Sequence, residues 1–104
     1  MSRGPDAATR LERALIASAE RAGCPISILR WVVTRWASAT FAGARHQFVL
    51  EGAAGTAIEE WLTGLPEAEF ALAGHLVADL SVEAVRRADG GVSAEVEALT
   101  IEER

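Results

Sequence analysis

Apolar positions along this chain switch between two periods, and the switches mark its elements. Leu11, Ala14, Leu15, Ser18 and Ala22 recur at the spacing of one helical face. Asp6 stands where a helix cap is needed, while Gly23 supplies a left-handed stop and Pro25 lacks an amide hydrogen. This predicts a helix over about residues 7–22, behind a loose lead of residues 1–5. From Ile26 to Thr40 the chain is rich in β-branched and aromatic residues, which suit a pleated surface, although Ile28, Trp31, Val32, Trp36 and Ala39 also fit a helical period. Arg45 to Glu51 then alternates cleanly, with His46, Phe48 and Leu50 on one face and Arg45, Gln47, Val49 and Glu51 on the other. The two segments read as a hairpin turning at Ala42 and Gly43.

Thr56 followed by Glu59 has capping-box spacing, and Ile58, Trp61, Leu62 and Leu65 repeat at helical intervals until Gly64 and Pro66. Phe70, Leu72, Leu76, Ala78, Leu80 and Val82 share one face of a long strand, and Val92, Ala94, Val96 and Ala98 share one face of another, with a turn in Ala88–Gly91 between them. A two-residue turn at Asp89 and Gly90 would set Glu83 opposite Val96 and Val82 opposite Glu97. A three-residue loop aligns the apolar sets instead and is the expected connection.

The order is therefore α, β, β, α, β, β. Consecutive hairpins favour an α+β two-layer domain over residues 6–104, a four-stranded antiparallel sheet with two helices on one face. This is the element order obtained by moving the first strand of a ferredoxin-like βαββαβ chain to its end, a likeness of topology alone.

Composition narrows the function. With 104 residues the chain has room for one core. Its net charge is −5, and all ten basic residues are arginine, which argues against nucleic-acid binding and excludes lysine chemistry such as a Schiff base or a P-loop. The missing lysine, asparagine and tyrosine fit a GC-rich, bacterial-type coding bias. One cysteine, Cys24, forms no internal disulfide and no multi-cysteine metal site, and it reads as a small apolar group. No apolar run has bilayer-spanning length and no secretory leader is evident, so a cytoplasmic protein without a membrane is expected.

No stretch carries a catalytic or cofactor signature, so neither an enzyme nor a cofactor is assigned. His46 ends a mostly apolar face and is expected to be a hydrogen-bonded structural residue. Continuous alternation puts His75 on the opposite face with Asp79, about 13 Å further along the strand, too far apart for one metal ion. Glu83 falls opposite Glu95 or Glu97 as part of a solvated acidic face. The same alternation places Trp36, Val49, Val77, Leu99 and Ile101 on the face turned away from the helices. An apolar patch there suggests a homodimer interface. A small molecule bound between sheet and helices, or at a dimer seam, is the second expectation, with Arg45, His46, Glu51, His75 and Asp79 as the residues to examine.

Overall fold

The computed structural model describes residues 6–103, so the loose lead expected over residues 1–5 lies outside them. Helix α1 spans Ala7–Arg21. Asp6 Oδ1 accepts a hydrogen bond from the Thr9 amide at 3.0 Å, so the cap predicted from sequence is formed. At the other end the Gly23 amide donates to the Glu20 carbonyl and the Cys24 amide to the Ala19 carbonyl, with Gly23 at φ 82°. That pairing is a Schellman motif, and its flanking contact is between two buried residues, Ala19 and Cys24.

Strands β1 (Ile26–Ala37) and β2 (Ala42–Ala53) form the first hairpin. Helix α2 (Thr56–Gly64) and a short 3-10 turn (Leu65–Glu67) follow, then β3 (His75–Ala88) and β4 (Gly91–Glu102). The sheet is antiparallel throughout, in the order β1-β2-β4-β3. Since β2 and β3 each run antiparallel to β4, they are parallel to one another, and the α2 crossover joins them over an intervening strand. The α+β two-layer architecture and the αββαββ order are as the periodicity predicts.

One face of the sheet meets the helices. Leu11, Leu15 and Ala19 of α1 and Ile58, Trp61 and Leu62 of α2 form a single core with Phe48, Leu50, Leu80, Val92, Ala94, Val96 and Ala98. Each large aliphatic side chain fully buried there contributes about 1.5–3 kcal/mol. Small alanines on β4, the central partner of β2 and β3, let the helices approach the sheet. The helices are tied to each other by Trp61, whose Nε1 donates to Ser18 Oγ at 3.0 Å.

Several local features depart from the alternation, beginning with a β-bulge at Leu29 in β1, between Ile28 and Arg30. The first hairpin turns through Ser38–Phe41 and not at Ala42 and Gly43, since Ala37 pairs with Ala42, and His46 lies opposite Val33. Ser38 organises that turn: its Oγ accepts from the Thr40 and Phe41 amides, and its own amide donates to the Phe41 carbonyl at 2.7 Å. The second hairpin turns through two residues, Asp89 (φ 55°) and Gly90 (φ 77°), because Ala88 pairs with Gly91. The three-residue loop is therefore wrong, and the register correction it was meant to supply comes from a β-bulge at Glu83, which brings Val82 opposite Val96. A second bulge in β3, at Ala78, shifts the phase again. Strand β3 also begins at His75, not near Phe70. Gly55 rather than a side chain caps α2, and Thr56 is already inside it, so the expected capping box is not formed.

Candidate functional site

His46 is fully buried on the helix-facing side of β2, where unbroken alternation puts it. Its Nδ1 accepts from Trp31 Nε1 at 3.1 Å, and its Nε2 lies 2.9 Å from Thr100 Oγ1. An indole nitrogen only donates, so Nδ1 is unprotonated and the proton sits on Nε2. Nε2–H therefore donates to Thr100 Oγ1, which in turn donates to the Ala44 carbonyl at 3.4 Å. Trp31 is fixed by stacking on Phe48, 4.1 Å between ring centroids, and meets His46 edge-on. The relay gives each of its side chains a partner, and it binds the edge strand β1 to β2 and β4. Burial is the main reason the imidazole is held below the usual histidine range. The Asp6 carboxylate pulls it upward and the charge of His75 pushes it down. Chemically this is a neutral structural histidine.

The remaining ligand candidates do not assemble with it. The Ala78 bulge turns His75 to the helix side, level with Glu102, and leaves Asp79 on the open side opposite Leu99. The two histidines thus share a face, contrary to the expectation from continuous alternation, while His75 and Asp79 are on opposite faces. His75 lines a small crevice with Asp6, Arg35, Thr100 and Glu102, where Arg35 and Glu102 approach to 3.4 Å. Arg45 and Glu51 lie on the open face. Among the described residues no three His, Cys, Asp or Glu side chains are grouped to hold a metal ion. The Cys24 thiol is buried, which pushes its pKa up and keeps it unreactive.

The open face carries an ordered pattern. Rungs of the ladder place residues side by side across all four strands. At the end nearest Ser38–Phe41 the rung is Trp36, Gly43, Ile101 and Leu76, apolar throughout. Next come Thr34, Arg45, Leu99 and Asp79, then Val32, Gln47, Glu97 and Ser81, then Arg30, Val49, Glu95 and Ala84 with the bulged Glu83, whose carboxylate is hydrogen-bonded to Ser81 Oγ. The far rung, Ser27, Glu51, Ser93 and Arg86, is wholly polar. Apart from Leu29, which is bulged beside Arg30 and 55% exposed, the face grades from apolar to polar along the strands. Four of the five residues expected on it, Trp36, Val49, Leu99 and Ile101, are there. Val77 is not: the bulge turns it toward the core opposite Thr100, and Leu76 takes its place outside.

Gly43 shows why the apolar end has its shape. A Cβ at that position would fall onto the Thr100 carbonyl oxygen and within 2.8 Å of the Trp36 ring. The glycine read as a turn residue is required here by close approach, and the Trp36 ring covers the gap it leaves in the sheet. The Trp36 indole N–H is shielded from solvent and has no acceptor among the described residues. Leaving such a group unsatisfied costs about 1–3 kcal/mol. Two open depressions flank this end, one lined by Thr34, Trp36, Arg45 and Leu99 and the other by Phe41, Leu76 and Ile101 beside Glu102 and Glu103. A third, over the middle of the face, is lined by Arg30, Val32, Gln47, Val49, Glu83, Glu95 and Glu97.

Comparison with protein-family models, with curated proteins and with solved structures finds no match to this chain. Among the described residues no helix is long and apolar enough to cross a membrane.

Proposed function

We propose that the protein is a self-associating interaction module of the cytoplasm, and that its open sheet face receives a second copy of the chain. The observation that carries this reading is the wholly apolar rung Trp36–Gly43–Ile101–Leu76, continued by Leu99 and by Phe41 at the hairpin tip, on a sheet face with no layer over it. Leu76 and Phe41 are each 52% exposed, more than folding alone requires. Contiguous apolar surface on a small domain marks a contact site, and a second sheet is the usual cover for such a face. The area is adequate: four strands, three of them 12 residues long, span about 19 Å by 40 Å at standard strand spacing and rise. That is close to the 800 Å² or so that each partner buries in a stable interface.

The test is molar mass by light scattering during size-exclusion chromatography, for the wild type and for Leu76→Glu. Leu76 is exposed and makes no structural bond, so the variant keeps its fold. The expected result is a wild-type dimer that Leu76→Glu reduces to monomer with an unchanged circular dichroism spectrum. A wild-type monomer at 100 µM, roughly the concentration at which weak dimers still form, overturns the reading.

A further inference from the structure

We propose that two copies stack about a two-fold axis running along the strands, each seating its basic β1–β2 half on the partner's acidic β3–β4 half, with Arg30 against the partner's Glu83. This deepens the self-association reading and rests on it.

Charge on the open face is divided laterally. The β1–β2 half carries Arg30 and Arg45 against one acid, Glu51. The β3–β4 half carries Asp79, Glu83, Glu95 and Glu97 against one base, Arg86. Arg45 is already engaged within the chain, 3.5 Å from Glu97. Arg30 makes no ion pair among the described residues, and Glu83 is held toward the open face by its bond to Ser81, across the sheet at the same height. Edge strands of a four-stranded sheet are about 14 Å apart, so these two charges do not meet within one chain.

A face-to-face dimer with its axis in the plane between the sheets has two simple choices. An axis perpendicular to the strands lays β1 on the partner's β1, which sets basic half on basic half and the apolar rung on the polar one. An axis parallel to the strands lays β1 on the partner's β3 and preserves height. Apolar rung then meets apolar rung, with Trp36 over the partner's Leu76 and Ile101 over the space at the partner's Gly43. Gln47 meets the partner's Glu97, and Arg30 meets the partner's Glu83. Stacked sheets cross at about 30°, which shifts the edge strands by roughly one residue, within an arginine's reach. Both the lateral and the axial gradients select the parallel axis.

The test uses Arg30→Glu and Glu83→Arg, separately and mixed. In either variant alone both cross-subunit pairs become like-charged, and dimerisation weakens by about tenfold or more. In the mixture, each Arg30→Glu chain offers two acids to the two arginines of a Glu83→Arg chain. Mixing therefore restores a dimer, containing one chain of each kind, to within about threefold of wild-type affinity. Glu83→Lys replaces Glu83→Arg should circular dichroism show that the bulge does not tolerate the guanidinium, since the lysine inverts the charge at the same place in the seam. A wild-type dimer whose variants keep full affinity, or whose variants stay apart when mixed, overturns the axis and leaves the sheet-face dimer standing. A wild-type monomer overturns the underlying reading instead.

Discussion

At the scale of residues, His46 shows how burial removes chemistry from a side chain that usually supplies it. Its ring has a donor on one side and an acceptor on the other, so a second proton would set Nδ1–H against the Trp31 N–H. The folded pKa lies below 6.5 while the unfolded chain titrates near it. Below pH 6.5 the unfolded state therefore binds more protons than the folded state. The stability linked to His46 is complete above pH 6.5 and is lost as pH falls through the lowered folded value. Asp6 is also lowered, chiefly by its bond to the Thr9 amide, but from 3.8, so its contribution is lost only in more acid solution. His46→Ala leaves Trp31 Nε1 without its acceptor and opens a cavity beside Thr100, and we expect it to cost about 2–4 kcal/mol in urea unfolding at pH 7.5. It should also flatten the loss of stability just below pH 6.5. A variant as stable as wild type would show that the relay is not structural. The placement of His46 was legible in the sequence because β2 alternates without interruption. Its partners were not, since Trp31 and Thr100 are 15 and 54 residues away and only the strand register joins them.

At the scale of elements, hairpin 2 depends on two left-handed residues in succession. Asp89 tolerates that backbone and Gly90 is suited to it. Gly90→Ala puts a Cβ into the left-handed region without touching any neighbour, so the change tests backbone strain alone. The expected loss is about 1 kcal/mol, or about 5 °C in thermal midpoint. An unchanged midpoint would mean the turn relaxes into another type. Element order and the faces of β2 and β4 follow from periodicity, whereas β1 is shifted once by a bulge at Leu29 and β3 fails twice, for a physical reason. Leu76, Ala78, Leu80 and Val82 alternate as well as a strand can, and nothing in that run announces an extra residue. The fold keeps Leu80 and Val82 inside and spends Ala78 as a bulge, because a small side chain leaves little apolar area unburied when it is displaced. This moves Val77 inward, Leu76 outward and His75 to the other face. Glu83 does the same on the far side of Val82, where the extra residue turns Val85 inward and leaves Ala84 outside. Loop length and bulges are interchangeable ways to restore register, so an argument from alternation alone could find the need for a shift without finding its location.

At the scale of the whole molecule, the proposed dimer sets two electrostatic effects against each other. Each copy carries a net charge of −5, so two approaching chains repel over distances comparable to the screening length, about 10 Å at 0.1 M salt. At contact the opposite halves of the two faces attract, with Arg30 and the partner's Glu83 at the seam. The first effect acts before docking and governs the association rate, while the second acts only in the docked complex and governs dissociation. Raising salt from 0.05 to 0.5 M, roughly a threefold contraction of the screening length, should therefore increase both rate constants. The equilibrium constant changes much less than either, because the two shifts oppose each other and the apolar end is indifferent to screening. Stopped-flow dilution and mixing of the dimer, followed by tryptophan fluorescence, reads both rates, since Trp36 lies in the proposed seam. Association that slows with salt would mean that the divided charge of the face steers encounter more strongly than net charge opposes it. Dissociation that ignores salt would place the binding energy wholly at the apolar end, in Trp36, Leu76, Leu99 and Ile101, and remove Arg30 from the interface.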